Sequence, residues 1–248
     1  TTPDKTFPAT AVKVQSELNM KTGPAFDIQA VCAGFIYALK VASSILQTSN
    51  LDKAIVIGSE SFSKILDWND RSTSVLFGDG AGAIILEKYK NFNNWGLLAS
   101  NFYSDGNFSN ILCTDNGPGT DSKVGKVRMN GKEVFKHAVE KLSSSLKDVI
   151  KDANLCVDDI DYLIPHQANI RIIDSLSKKL NFPKEKIINT VDIHANTSAA
   201  SIPLALSHAV DNNIIKNGDI IAMNAIGGGL SWGASVIKFG KPNWRLIF

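Results

Sequence analysis

Two stretches of the chain read as one unit written twice, and this constrains the fold more than any local pattern. Phe26-Asp-Ile-Gln-Ala-Val-Cys32 aligns with Val191-Asp-Ile-His-Ala-Asn-Thr197 at a shift of 165 (191 − 26), sharing Asp, Ile and Ala. The same shift lays Ile55–Gly58 on Ile220–Met223, and Gly82–Leu86 faces Gly233–Ile237 at a shift of 151 (233 − 82). A preserved order of strand, helix, strand, strand is the mark of a duplication. Under the larger shift Thr1 falls on His166, so the stretch from about Trp95 to Pro165 has no first-copy counterpart. The expected organisation is a first half over 1–94, N-terminally incomplete, a second half over 95–239, and a tail over 240–248.

Apolar runs bounded by polar or glycine turns predict strands at Phe26–Val31, Ala54–Gly58, Ala83–Leu86, Leu97–Phe102, Tyr162–Ile164, Ile220–Ala225 and Ser235–Phe239. Helical spacing predicts Gly131–Ala153, with Phe135, Ala138, Leu142, Leu146, Val149 and Ile150 in one stripe. It also predicts Asn169–Leu180, with Ile170, Ile173 and Leu176 inward and Lys178 and Lys179 outward. Cys32–Leu46 is apolar nearly all round, which predicts a helix buried on every side. Strands alternating with helices predict an α/β fold with mostly parallel sheets. Asn101–Val127, rich in Gly, Asn, Asp and Ser, is the one long candidate loop.

Composition narrows the function. The 248 residues balance 26 Lys+Arg against 24 Asp+Glu, which gives no electrostatic reason to expect nucleic acid. No apolar run approaches the ~20 residues of a membrane span. The three cysteines, Cys32, Cys113 and Cys156, lie far apart with no CxxC pair, as in a reducing, cytosolic compartment. The four histidines and the carboxylates show no metal-ligand spacing, so no metal is expected.

Three junctions carry the candidate chemistry. Cys32 follows a predicted strand and opens a helix, where free N–H groups stabilise a thiolate and lower its pKa. That makes it a candidate nucleophile, against the plainer reading of a buried structural thiol. His166, in Ile164-Pro-His-Gln-Ala-Asn169, stands at the carboxyl end of a strand, where sites form in α/β sheets. Asn196 heads Asn-Thr-Ser-Ala-Ala-Ser201 and sits at the junction matched to that of Cys32; a helix N-cap is its alternative role. His137, His194 and His208 read as structural. Gly78-Asp-Gly-Ala-Gly82 precedes a β-like run rather than a helix, so it fails the context test for a nucleotide loop. The Gly227–Gly229 turn, centred on Gly228, can bring backbone N–H groups close to an oxyanion.

Taken together, Ala30-Val-Cys-Ala-Gly-Phe35, Pro165-His-Gln-Ala-Asn169, His194–Ser201 and Gly227-Gly-Gly-Leu-Ser-Trp-Gly233 resemble the β-ketoacyl-acyl-carrier-protein synthase III family of the thiolase superfamily. The resemblance implies a thiolase-like αβαβα sandwich of two duplicated halves, acting as a homodimer in the cytoplasm, away from membranes and nucleic acids. It implies an acyltransferase that condenses a short acyl-CoA, acetyl-CoA first among them, with malonyl-acyl-carrier protein, initiating fatty acid synthesis. No cofactor is implied; the coenzyme A thioester is a substrate. Cys32 is then the acylated nucleophile, His166 and Asn196 stabilise an enolate, and the backbone N–H groups of Cys32 and Gly228 form an oxyanion hole. Arg71 and Asn169 match CoA-channel positions, Phe7 a residue offered across the dimer to the acyl pocket, and Ile226 a position near the cysteine. Lys136, Arg171, Lys178 and Lys179 match the surface that meets the acyl-carrier protein. Another thiolase-superfamily condensing enzyme, or a non-catalytic chain that binds a partner, are the alternatives the residues leave open.

Overall fold

The structure, a computed structural model, describes residues 1–89, 94–120 and 123–241. Pro242–Phe248, most of the expected tail, therefore lies outside the described residues. The helices are α1 (Thr10–Glu17), α2 (Gly34–Thr48), α3 (Arg71–Ser74), α4 (Gly131–Asp152), α5 (Ile170–Leu180), α6 (Val191–His194) and α7 (Ser201–Asp211). The strands are β1 (Lys53–Ser61), β2 (Asp79–Glu87), β3 (Gly96–Ser104), β4 (Leu112–Thr114), β5 (Val127–Met129), β6 (Tyr162–Pro165), β7 (Ile220–Gly227) and β8 (Ser231–Lys238). Two short 3-10 turns, Val31–Ala33 and Ser198–Ala200, lead into α2 and α7.

The paired helices α2 and α7 lie between two sheets. On one side is the antiparallel pair β1–β2; on the other is a four-stranded sheet in the order β3-β8-β7-β6. Phe35, Ile36 and Leu39 of α2 meet Ile202, Ala205 and Leu206 of α7, together with Val56, Ile164, Ile221, Met223 and Ala225. Each such side chain contributes about 1.5–3 kcal/mol by leaving water. The opposite face of β7 presents Ala222 and Ile226 to an outer layer, where Leu142, Leu146 and Val149 of α4 pack with Ile172 and Leu176 of α5. This two-residue alternation lets one strand serve both layers. The described residues thus build four layers of a five-layered sandwich; the outward face of β1–β2 is open, with Ile57 38% and Ile85 69% exposed.

Several expectations change. Only β6–β7 is a parallel ladder; β1–β2, β3–β8, β7–β8 and β4–β5 are antiparallel. Phe26–Val31 is not a strand, because no described strand pairs with it. The expected loop Asn101–Val127 carries the end of β3 and β4, which pairs with β5 in a short hairpin. Helix α2 buries Phe35, Ile36, Leu39 and Leu46 but leaves Tyr37, Val41, Ala42 and Ile45 half-buried, so it is not buried on every side. Its 18-residue window Val31–Thr48 does reach the apolar content of a membrane span, with mean hydropathy 1.4; here it is the helix between the sheets. Phe135 and Ile170 are exposed, and Ile172 takes the inward place expected for Ile170. His194 ends the helical turn α6 rather than lying in a strand.

The duplication is real, but its register is 167 rather than 165. Both 3-10 turns begin on a residue with positive φ, Val31 at 48° and Ser198 at 52° (198 − 31 = 167). Helices α2 and α7 start at 34 and 201, and β1 and β7 at 53 and 220, again 167 apart. Keeping 151 for β2 and β8, the pair Val56–Ile84 maps onto Met223–Ser235, which is the pair observed. A slip of two leaves every strand residue on its original face, so the hydrophobic pattern could not reveal it. In the corrected register Cys32 matches Ala199, and Asn196 matches Gln29.

Candidate active site

Cys32 is held by backbone rather than by side chains. It sits in the 3-10 turn before α2 and is 3% exposed. A side chain on Gly227, the last residue of β7, would place its Cβ 2.6 Å from Cys32 N, 3.0 Å from Val31 Cβ and 3.1 Å from Ala30 O. Only glycine lets the strand approach the backbone of Cys32 this closely. Ala33, not Cys32, is the N-cap of α2. Burial dominates the thiol, pushing its pKa up from 9.0 to about 12, while the Ser198 hydroxyl lowers it and the Glu60 carboxylate raises it. The lowered pKa expected from a helix N-terminus is therefore corrected: desolvation of the thiolate outweighs the helix field.

Asn196 reaches the same place from the other half. The two 3-10 turns pack together, with the Cβ position of Gly34 3.6 Å from Ala199 Cβ. Asn196 is fixed by a backbone bridge to Phe77: its N–H donates to Leu76 O and its carbonyl accepts from Gly78 N, both at 2.9 Å. Its side-chain Oδ1 accepts the Ser198 N–H at 3.0 Å. The amide oxygen being occupied, Nδ2 is the group left to donate elsewhere. Asn196 and Cys32 are thus joined through Ser198.

His166 extends the end of β6. Its N–H donates to Asn224 O of β7 at 2.7 Å, and the residue is 2% exposed with Nδ1 buried and unpartnered. Burial alone lowers its pKa from 6.5 to about 4, so the ring is neutral near pH 7. The next residue, Gln167, holds the turn: Nε2 donates to Pro165 O and Ile188 O, and Oε1 accepts from Thr190 N. From Asn224 to Gly227 is about 10 Å of strand, so β7 ties the histidine's neighbourhood to that of Cys32.

A cavity of about 390 Å³ opens beside these junctions, lined by Val75, Leu76, Asn169, Val191 and Ala195 among others. Asn169 is both a lining residue and the N-cap of α5, its Oδ1 accepting Ile172 N at 3.0 Å. Arg71 opens α3, one turn before Val75, and is exposed. Phe7 is 82% exposed, far more than a pocket residue within one chain. Ile226 packs in the outer core with Leu230 and Trp232 and does not line this cavity. Gly228 abuts Leu112, its Cβ position 2.5 Å from Leu112 O. Lys136, Arg171, Lys178 and Lys179 are exposed on α4 and α5. Among the described residues no cluster of three His, Cys, Asp or Glu side chains could hold a metal.

Two contributors escaped the sequence reading. Glu60 is buried on β1 and bonded to Ser198 at 3.0 Å. Gly58 admits the carbonyl of Ala199 where a Cβ would come within 2.1 Å. The signal was present: Val56, Gly58 and Glu60 alternate along one strand face, placing a small and an acidic residue where apolar side chains belong.

The chain is similar to known proteins along most of its length. The family models for 3-oxoacyl-[acyl-carrier-protein (ACP)] synthase III match residues 26–106, and that for its C-terminal part residues 150–239. The beta-ketoacyl-[acyl-carrier-protein] synthase III of Wolbachia pipientis wMel is 55% identical over 240 residues, spanning 96% of this chain and 74% of the relative. The crystal structure of 3-oxoacyl-[acyl-carrier-protein] synthase III from Aquifex aeolicus VF5 superposes with a TM-score of 0.89 at 43% identity, over 96% of this chain and 74% of that one. The Pseudomonas aeruginosa PAO1 enzyme of the same name gives 0.92 at 36% identity, over 97% and 75%. With its thiolase-like fold and this level of identity, the chain belongs to the 3-oxoacyl-acyl-carrier-protein synthase III family.

Proposed function

We propose that this protein is the acyltransferase that condenses a short acyl-CoA with malonyl-acyl-carrier protein, initiating fatty acid synthesis, and that Cys32, His166 and Asn196 carry the reaction. The observation that carries this reading is the meeting of Cys32 and Asn196 through Ser198, with His166 one strand away, inside a chain of this family. In the first stage Cys32 Sγ attacks the thioester carbonyl; a C–S bond forms, the thioester C–S bond breaks, and CoA leaves. In the second, malonyl-acyl-carrier protein loses CO2. The carbanion attacks the acyl-cysteine, forming a C–C bond and releasing the Cys32 sulfur.

The neutral ring of His166 and Nδ2 of Asn196 donate to the enolate oxygen, which needs donors placed in advance of the charge. Backbone N–H groups of Cys32 and the Gly227–Gly229 turn, Gly228 included, serve the acyl carbonyl. The cavity lined by Asn169 is the channel for the pantetheine arm, Arg71, one turn before the lining residue Val75, serves the CoA end, and Ile226 shapes the acyl pocket. Lys136, Arg171, Lys178 and Lys179 give a basic surface suited to an acidic carrier protein. The exposure of Phe7 fits a homodimer in which it enters the partner's acyl pocket. The reaction needs no cofactor, and the enzyme works in the cytoplasm.

The test compares malonyl-carrier protein with malonyl-CoA as extender, in the parent and in Cys32→Ser. Condensation with the carrier-protein substrate, lost in Cys32→Ser, is the expected result. Preference for malonyl-CoA would assign the chain to another condensing activity, and an unaffected Cys32→Ser enzyme would refute the nucleophile.

A further inference from the structure

Glu60 is the only buried carboxylate among the described residues, its side chain 1% exposed. Such a group persists only where hydrogen bonds replace its water. Oε2 accepts from Thr2 N at 3.1 Å and Thr2 Oγ1 at 2.6 Å, and Oε1 accepts from Ser198 Oγ at 3.0 Å. Ser198 opens the second 3-10 turn at φ 52°, a left-handed conformation that a residue with a side chain keeps only where its surroundings fix it. Its own N–H donates to Asn196 Oδ1 at 3.0 Å. A carboxamide turned over exchanges its oxygen for its NH2 at little steric cost, so the group bonded to Oδ1 decides which end is free to donate. The duplicated position lacks this tie. At the shift of 167, Ser198 corresponds to Val31 and Glu60 to Gly227 (227 − 60). Each half's strand meets the other half's turn: Gly227 of β7 lies bare against Val31 and Cys32, whereas Gly58 of β1 lies bare against Ala199 and Glu60 reaches Ser198. Gly58 and Glu60, two apart on one strand, share a face.

Resting on the reading of Asn196 as a donor to the enolate, we propose that Glu60 is a positioning residue for Asn196, acting through Ser198. The carboxylate holds the Ser198 hydroxyl, the held residue keeps its N–H on Asn196 Oδ1, and Nδ2 is left as the free donor for the second substrate. The first turn needs no such tie, because Cys32 is located by its backbone. Asn196 acts through a side chain, whose orientation a backbone contact alone does not set. Glu60 has no matching part in the first stage: its charge raises the pKa of the Cys32 thiol, so its removal does not hinder acylation. The two stages should therefore respond differently to the loss of this one carboxylate.

The decisive variant is Glu60→Ala, read in two assays: acetylation of the Cys32 peptide by acetyl-CoA, followed by mass spectrometry, and condensation of the acetylated enzyme with malonyl-carrier protein. Condensation is expected to fall about 100-fold while acetylation is not slowed. Glu60→Gln, whose NH2 can donate to Ser198 Oγ, should recover part of the loss. In an Asn196→Ala background, where the side chain that Glu60 positions is gone, Glu60→Ala should lower condensation no further. Equal losses in both stages would show a general structural role and overturn the proposal, as would parent-like condensation or a further fall in the double variant. Should Glu60→Ala fail to fold, Glu60→Gln carries the test: condensation falls with acetylation unslowed, and a parent-like ratio of the two rates refutes the positioning role. Asn196→Ala alone separates this proposal from the reading beneath it. Parent-like condensation there sinks Asn196 as a donor, and Glu60 with it. A collapse there beside unaffected Glu60 variants sinks only the role of Glu60.

Discussion

Replacing Gly227 by Ala adds one methyl group at the point where β7 touches the backbone of Cys32. Its Cβ would stand 2.6 Å from Cys32 N, whereas ordinary contact begins at 3.4 Å, so the turn must retreat by 0.8 Å (3.4 − 2.6). The neighbours are backbone and a β-branched Val31, with no flexible side-chain end to swing aside. Overpacking of this kind costs about 1–3 kcal/mol, a modest part of the roughly 5–15 kcal/mol that holds a domain folded. The protein should therefore fold, with a lower urea midpoint. The larger effect falls on chemistry, because displacing a reacting group by about 1 Å costs on the order of 100-fold in rate. The control is Gly233→Ala on β8, whose Cβ would lie 2.5 Å from Asn101 O and 3.0 Å from Ile36 Cγ2. Stopped acetylation assays and urea melts on both variants read the two effects separately. Comparable midpoint losses with a rate collapse only in Gly227→Ala are expected. A Gly227→Ala acetylation rate within threefold of the parent would refute the claim that this glycine sets the position of the nucleophile.

Three further outcomes are expected. Because burial lowers the His166 pKa from 6.5 to about 4, the unfolded chain binds the extra proton first as pH falls; stability present above pH 6.5 is lost between 6.5 and 4. The loss approaches about 3 kcal/mol, and urea midpoints that fall no more in the parent than in His166→Gln over that window would contradict it. Asn196→Asp keeps an acceptor for Ser198 N but loses the Nδ2 donor, so condensation should fall about 100-fold or more with acetylation of Cys32 retained; equal losses in both steps would argue against a role at the enolate. Leu39→Ala, in the fully buried centre of α2, should cost about 2–5 kcal/mol, seen as a lower midpoint with the m-value unchanged.

How much the sequence disclosed depends on the scale of the question. The strands at β1, β2, β3, β6, β7 and β8 were legible because each is a short apolar run bounded by polar or glycine turns. The order of the repeat was legible for the same reason, and its two-residue slip was not, since that slip leaves the period intact. Parallel and antiparallel pairing left no trace in the pattern, as β7 shows by pairing with β6 in one sense and β8 in the other. The chemistry-bearing junctions stood out through their motifs. Glu60 was missed because its meaning comes from Ser198, 138 residues away, across a packing contact that no local window contains. The thiol pKa was misjudged for a related reason: helix geometry is local, whereas the burial that outweighs it is supplied by both halves together.

The account turns on a division of labour in which Cys32 stores the acyl group while His166 and Asn196 act only on the second substrate. Peptide-level mass spectrometry after brief exposure to acetyl-CoA, run on the parent, His166→Ala and Asn196→Asp beside a condensation assay, tests it most directly. The account predicts one acetyl group on the Cys32 peptide in all three proteins, with condensation surviving in the parent alone. Acetyl groups on another residue, or their absence from Cys32 in the folded parent, would contradict it.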